Sequence, residues 1–225
     1  MGLQEELDAF KAKVMAGTPG GPSPARYAEI TGRATAELIA SGAVGKALRV
    51  GDRAPAFTLN DQSGAGISST EALRSGPLVL TFYRGVWCPF CNMELEALAA
   101  ALPQISAAGA RLVAISPQTP ANSRKTERAS PLGFPILHDP GGAVAAAFGV
   151  RFALPDYLAA YYKELGIDLS LINADDSWTL PMPARYVIAP DGVIRYAQVN
   201  PDYTQRPDPQ EMMASLRAIQ TGSVS

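Results

Sequence analysis

Two short apolar runs, residues 78–83 (LVLTFY) and 111–116 (RLVAIS), stand either side of a stretch in which Leu95, Leu98, Leu102 and Ile105 recur at helical spacing. Apolar runs of this length, rich in β-branched and aromatic residues, suit strands buried on both faces. The spacing between them presents one apolar stripe of a helix. Strand, helix and strand within about 40 residues is the size of one crossover unit joining parallel neighbours. The chain is therefore read as α/β, with a sheet covered by helices, and not as a bundle or a sandwich. Other segments fit that class. Phe57 and Leu59 alternate with polar residues before a turn at 61–66, and Ile136 and Leu137 read as a strand that ends at a loop histidine, His138. Residues 141–148 read as a short alanine-rich helix, and 156–166 as a helix outside the basic sheet. Residues 186–188 and 193–196 flank Asp191-Gly192, a strong hairpin signal, and 209–219 close the pattern as a helix. Pro117 and Pro120 are read as breakers after the second strand.

Ahead of this pattern, Leu3, Leu7, Phe10 and Val14 lie on one helical face. Residues 18–24 hold three prolines and read as a linker. Ser23 is then an N-cap with Pro24 at the first helical position, and Tyr27, Ile30, Ala34 and Leu38 carry a second helix to about Gly42. Two units are expected, an N-terminal helical extension over 1–47 and an α/β domain over 48–225. The extension is read as a packing or dimerisation arm and not as catalytic.

Composition excludes several functions. With 19 Lys and Arg against 21 Asp and Glu, the chain lacks the basic excess of a dedicated nucleic-acid binder. An uncharged run of 14 residues, 97–110, is interrupted by Pro103 and is too short to cross a bilayer. The first residues are acidic and lack an apolar h-region, so a cytoplasmic protein without a secretory signal is expected. Two cysteines and one histidine cannot supply the four ligands of a structural zinc site. Asn92 after Cys91 also rules out a haem-attachment motif. No metal or organic cofactor is expected.

Both cysteines fall in residues 82–95 (FYRGVWCPFCNMEL), just after a strand and at the start of a helix. A helix N-terminus favours negative charge, so Cys88 is the candidate nucleophile, held as thiolate below the usual thiol range. Cys91, within the first turn, is the candidate resolving thiol and can close a disulfide with Cys88. Pro89 fits the first helical turn, and Trp87 can cover one side of the sulfur. Arg84 is either a second source of positive potential or the partner of a surface acid. Inert core cysteines are the alternative, but one CxxC at this place holding every cysteine of the chain points to redox chemistry.

The stretch WCPFC after an apolar strand resembles thioredoxin-fold redox proteins, and its CPFC is similar to the CPYC of glutaredoxins. Blocks at 51–61 (GDRAPAFTLND), 76–95, 112–118 (LVAISPQ), 134–140 (FPILHDP) and 181–196 (PMPARYVIAPDGVIRY) resemble, in order, the alkyl hydroperoxide reductase and thiol-specific antioxidant family, in its peroxiredoxin-like branch. The resemblance spans about 50–220. It implies a thioredoxin-like fold with a central mixed sheet flanked by helices. It also implies antioxidant peroxidase chemistry, in which Cys88 reduces a hydroperoxide, Cys91 resolves the sulfenic acid, and thioredoxin or glutaredoxin and glutathione restore the pair.

Two departures stand out. The family's threonine three residues before the nucleophile is Gly85 here, and counting back from Tyr186 puts Pro183 where its arginine belongs. Pro183 instead matches the cis-proline that faces the dithiol in thioredoxins, so a cis Met182–Pro183 bond is expected. Arg185 and Arg84 are the candidates to replace the missing arginine. These departures keep open a second reading, a thiol-disulfide oxidoreductase acting on protein or glutathione disulfides. A third is a non-enzymatic binding module. Whether the chain is a monomer or a homodimer, and whether Trp178 lines the pocket or the core, also stay open.

Overall fold

A computed structural model describes residues 2–222. Met1 and residues 223–225, the outer ends of the two units read from sequence, lie outside the described residues. Leu3–Ala16 (α1) and Pro24–Ala40 (α2) are the expected N-terminal helices, and the Ser23 side chain accepts from the Arg26 N–H as the cap of α2. The α/β part runs Thr58–Asp61 (β1), Gly66–Ser68 (β2), Ser69–Ser75 (α3), Leu78–Phe82 (β3), Pro89–Ala107 (α4), Arg111–Ser116 (β4), Pro120–Ala129 (α5) and Ile136–His138 (β5). It continues through Ala143–Ala147 (α6), Arg151–Ala153 (β6), Asp156–Glu164 (α7), Leu169–Asn173 (α8) and Thr179–Pro181 (β7). Ala184–Ile188 (β8), Ile194–Val199 (β9) and Met213–Gln220 (α9) complete it.

Seven strands form one mixed sheet in the order β2-β1-β5-β4-β3-β8-β9, and β6 pairs with β7 apart from it. β3, β4 and β5 are parallel neighbours, while β8 runs antiparallel to β3 and places Arg185 opposite Thr81. All five residues of β3 are buried, as its unbroken apolar run requires. Their alternation feeds two cores. Leu78, Leu80 and Phe82 pack with Phe148 and Tyr186 on one face, and Val79 faces α4 with Cys88, Cys91, Leu95 and Leu98 on the other.

The N-terminal helices fold back onto the α/β part. Leu3 and Leu7 of α1 are buried in the same core as the two cysteines, each burial worth about 2 kcal/mol. Phe10 meets Phe90 edge to face at 5.3 Å. Tyr27, Ile30 and Ala34 of α2 pack on Leu158, Tyr161 and Tyr162 of α7. The segment that follows α2 lies so close to Gly149 that a Cβ there would stand 2.1 Å from the Lys46 carbonyl oxygen, and Gly149 has φ +71.

Three expectations need correction. Pro120 does not break the chain but opens α5, with Thr119 as its N-cap residue; proline is tolerated at a first helical position because its missing N–H has no partner there anyway. His138 is the last residue of β5, paired with Asn60, and is half-buried. Among the described residues every peptide bond is trans, Met182–Pro183 included, so the expected cis-proline is absent. The short elements α3, α8, β6 and β7 carry no sequence period long enough to announce them.

Candidate active site

The chain leaves β3 at Phe82 and turns once before α4 begins. Cys88 is the N-cap residue of α4, with Pro89 at the first helical position. The turn is closed by Cys88 N–H donating to the Gly85 carbonyl at 3.0 Å, and by the Cys91 and Asn92 N–H groups donating to the Cys88 carbonyl at 3.1 Å. The Asn92 side-chain amide adds a bond to the Val86 carbonyl at 2.9 Å. Both sulfurs are consequently held on one helical turn, and both are buried and unbridged. Gln118, from the loop between β4 and α5, clamps this turn from the side. Its carbonyl oxygen accepts from Val86 N–H at 2.7 Å, and its amide donates to the hydroxyl of Tyr83, also at 2.7 Å. Gly85 is required here: φ is +143, and a Cβ would stand 2.7 Å from Trp87 Nε1 and 3.2 Å from Gln118 Oε1. A threonine has no room at this position.

Two arginines, Arg84 and Arg206, bear on the thiols, and a third, Arg185, joins them through Glu94. Arg84 is 3% exposed and makes no ion pair with a carboxylate among the described residues. Its guanidinium donates to the hydroxyl of Tyr162 and lies 4.2 Å and 4.6 Å from the ring centroids of Tyr203 and Trp87. Tyr203 is in turn hydrogen-bonded to Tyr27 of α2 at 2.7 Å. Arg206 reaches to 3.5 Å from Cys91 Sγ and lies 2.6 Å from Glu94. Arg185 binds the other oxygen of Glu94 at 2.7 Å. Glu94 is thus a single buried carboxylate shared by two arginines, and the three guanidinium groups leave the cluster two positive charges in excess.

That excess acts on the sulfurs. Burial works against a Cys88 thiolate, but the Cys91 thiol hydrogen bond, the Arg84 and Arg206 charges and the Cys91 backbone N–H more than offset it, and Cys88 ionises at about 6. Cys91 is pushed well above the usual thiol range by burial, by its hydrogen bond with Cys88 and by the Cys88 charge. One thiolate next to one protonated thiol is the arrangement that a nucleophile and a resolving group require.

Of the residues singled out from sequence, Cys88, Cys91, Arg84 and Trp87 come together. Trp87 stacks on Arg84 and meets Tyr162 edge to face at 5.3 Å. Arg185, the other candidate for the missing arginine, is 1% exposed and spent on Glu94. Pro183 is buried and lines a cavity of about 520 Å³ whose floor includes Arg84, Tyr162 and Tyr203. Trp178 packs with the α7 core beneath the Lys163 ammonium and does not line that cavity. Arg206, Glu94, Gln118, Tyr162, Tyr203 and Tyr27 were missed. Glu94 alone had left a signal, because it falls on the buried stripe of α4 beside Cys91, Leu95 and Leu98.

Comparison with known proteins agrees with this geometry. Residues 50–197 match the model of the AhpC/TSA family. The chain is 29% identical over 194 residues to a chloroplastic peroxiredoxin Q of Oryza sativa subsp. japonica, covering 85% of this chain and 75% of that protein. It is 29% identical to the chloroplastic peroxiredoxin Q of Triticum aestivum, over 80% of this chain and 67% of that one. Among solved structures it is similar to peroxidoxin BcpB from Mycobacterium tuberculosis, with a TM-score of 0.60 and 24% identity over 76% of this chain and 98% of that one. A yeast mitochondrial 1-Cys peroxiredoxin gives a TM-score of 0.60 at 21% identity, covering 78% of each chain. At those identities the two structures establish the thioredoxin-like fold.

Proposed function

Because this chain belongs to the AhpC/TSA family and is a peroxiredoxin-like thiol peroxidase, we propose that Cys88 is its peroxide-reducing nucleophile and Cys91 its resolving thiol. The observation that supports this best is a buried dithiol, with Cys88 as the N-cap residue of α4 and Cys91 one turn on, beside a buried Arg84 with no carboxylate partner among the described residues. The Cys88 thiolate attacks the distal oxygen of a hydroperoxide. The O–O bond breaks, the alkoxide leaves as an alcohol after taking a proton, and Cys88 becomes a sulfenic acid. The Cys91 sulfur then attacks the Cys88 sulfur, water leaves, and a disulfide forms. An external dithiol of the thioredoxin type, or glutaredoxin with glutathione, reduces it again.

Arg84 takes the place of the arginine missing at position 183. Its guanidinium is fixed by Tyr162 and two aromatic faces and can polarise the leaving oxygen. Arg185 acts at one remove, as a positioning residue that holds Glu94 and through it Arg206. The Val86 N–H and the Gln118 side chain occupy the neighbourhood where the family's threonine would project. The disulfide-oxidoreductase reading keeps the CPFC dithiol and the proline at 183 but not the expected cis bond, and the family match favours the peroxidase. A cytoplasmic setting belongs to the same proposal. No helix among the described residues is long and apolar enough to cross a membrane, and the two cereal relatives are chloroplastic.

Stopped-flow tryptophan fluorescence tests the assignment, since Trp87 adjoins Cys88. Reduced protein mixed with hydrogen peroxide should show a fast, concentration-dependent phase that Cys88→Ser abolishes. Cys91→Ser should accumulate a sulfenic acid that dimedone traps. A rate no better than a free thiol's would overturn the assignment.

A further inference from the structure

The reaction proposed above uses Arg84 but not the apolar body of the cavity that Arg84 lines. Its walls are largely apolar, with Leu38 from α2 facing Phe152 and Leu158. At its rim stand Lys46 and Arg151, both exposed, while the rim carboxylate, Glu37, is already bound by Arg33 at 2.8 Å and Tyr157 at 2.7 Å. Its floor holds Arg84, whose buried Nε has no hydrogen-bond partner. The cavity therefore has an apolar body and positive charge at both ends.

Arg84 has no carboxylate partner among the described residues and stands four residues before Cys88, whose thiolate its charge favours, so in the reduced protein that thiolate serves as its counter-charge. Closure of the Cys88–Cys91 disulfide removes it: the two sulfurs give up two electrons, the remaining thiol proton is lost, and both sulfurs become neutral. Glu94 cannot compensate, because Arg185 and Arg206 occupy it. A buried cation stripped of its anion is strongly disfavoured, and Arg84 opens on the cavity.

We propose that the disulfide form binds an amphiphilic monocarboxylate in this cavity, tail along Leu38, Phe152 and Leu158 and carboxylate on Arg84, and that reduction of Cys88 expels it. The physiological switch rests on the dithiol chemistry proposed above, but the binding site does not. One buried counter-charge gained or lost beside the site changes anion affinity by roughly tenfold or more.

Isothermal titration calorimetry with decanoate tests this, with decanol as the uncharged control. The disulfide form is made with diamide, which takes up the two electrons and the one thiol proton of the pair together with a proton from water, and needs no peroxidase activity. Decanoate should bind the disulfide form roughly tenfold or more tightly than the reduced form, and decanol should bind both alike. Reduced Cys88→Ser, whose hydroxyl is neutral at that position, should bind decanoate as the disulfide form does. Ala34→Trp, which fills the cavity from α2, should lose decanoate binding. Equal decanoate affinity in the two states overturns the proposal, as does decanol following decanoate, tight binding confined to the diamide-treated protein, or binding that survives Ala34→Trp. A protein inert towards peroxide that still shows the decanoate contrast would refute the peroxidase assignment and leave the site standing.

Discussion

Replacing Arg206 with methionine removes one of the two guanidinium charges that bear on the dithiol while keeping an apolar stem in its place. Cys88 ionises at about 6 against an ordinary thiol value of 9.0, a preference for thiolate of about 4 kcal/mol at about 1.36 kcal/mol per unit. Four favourable influences outweigh burial: the Cys91 thiol, Arg84, Arg206 and the Cys91 backbone N–H. Arg206, one of the four, is expected to account for about one unit, which moves the midpoint to about 7. The sign follows directly, since a lost cation favours the protonated thiol. At pH 6 about half of Cys88 is thiolate in the parent and about a tenth in the variant, so peroxide reduction there should slow about fivefold. Above pH 8 the two proteins should converge. Thiolate absorbance followed against pH gives the midpoint, and urea unfolding establishes that the variant is folded. A folded Arg206→Met protein with an unmoved midpoint refutes the electrostatic account of Cys88.

Gly85→Thr restores the family's residue type but should not restore its function: the new Cβ meets Trp87 and Gln118, and the residue is held at positive φ. A loss of about 1–3 kcal/mol in urea unfolding and a slower peroxide reaction are expected, and a faster reaction would show that the turn relaxes. Glu94→Gln should act on Cys88 with the opposite sign to Arg206→Met. It leaves Arg185 and Arg206 buried without their anion, which should destabilise the fold by about 3–5 kcal/mol and move the Cys88 midpoint below its parent value.

Where the sequence carried a period or a motif, it was legible. The run at 78–83, the helical spacing after Cys91 and the Asp191-Gly192 turn became β3, α4 and the β8–β9 hairpin. The dithiol was legible because helix start and cysteine spacing are both local. What was lost is what depends on distant residues meeting. Arg206 lies 115 residues from Cys91, and no local pattern in its loop shows that its side chain turns inward. Pro120 misled because the same ring that ends a strand also starts a helix, and only the course of the chain after it decides between them. Glu94 was the exception, a charge on a buried stripe that demands a cation and so pointed to residues like Arg185 and Arg206 without naming them.

Gln4, in the first turn of α1, accepts a hydrogen bond from the Arg206 backbone N–H at 2.9 Å, tying together residues 202 apart in the chain. The cation that helps to ionise Cys88 is thus fastened by the first helix and delivered by the last loop before α9. A chain still emerging from the ribosome has Cys88 and α4 long before it has Arg206. Until the late loop docks on α1, one of the cations that favour the Cys88 thiolate is missing, so the last increment of its reactivity arrives with the last part of the fold.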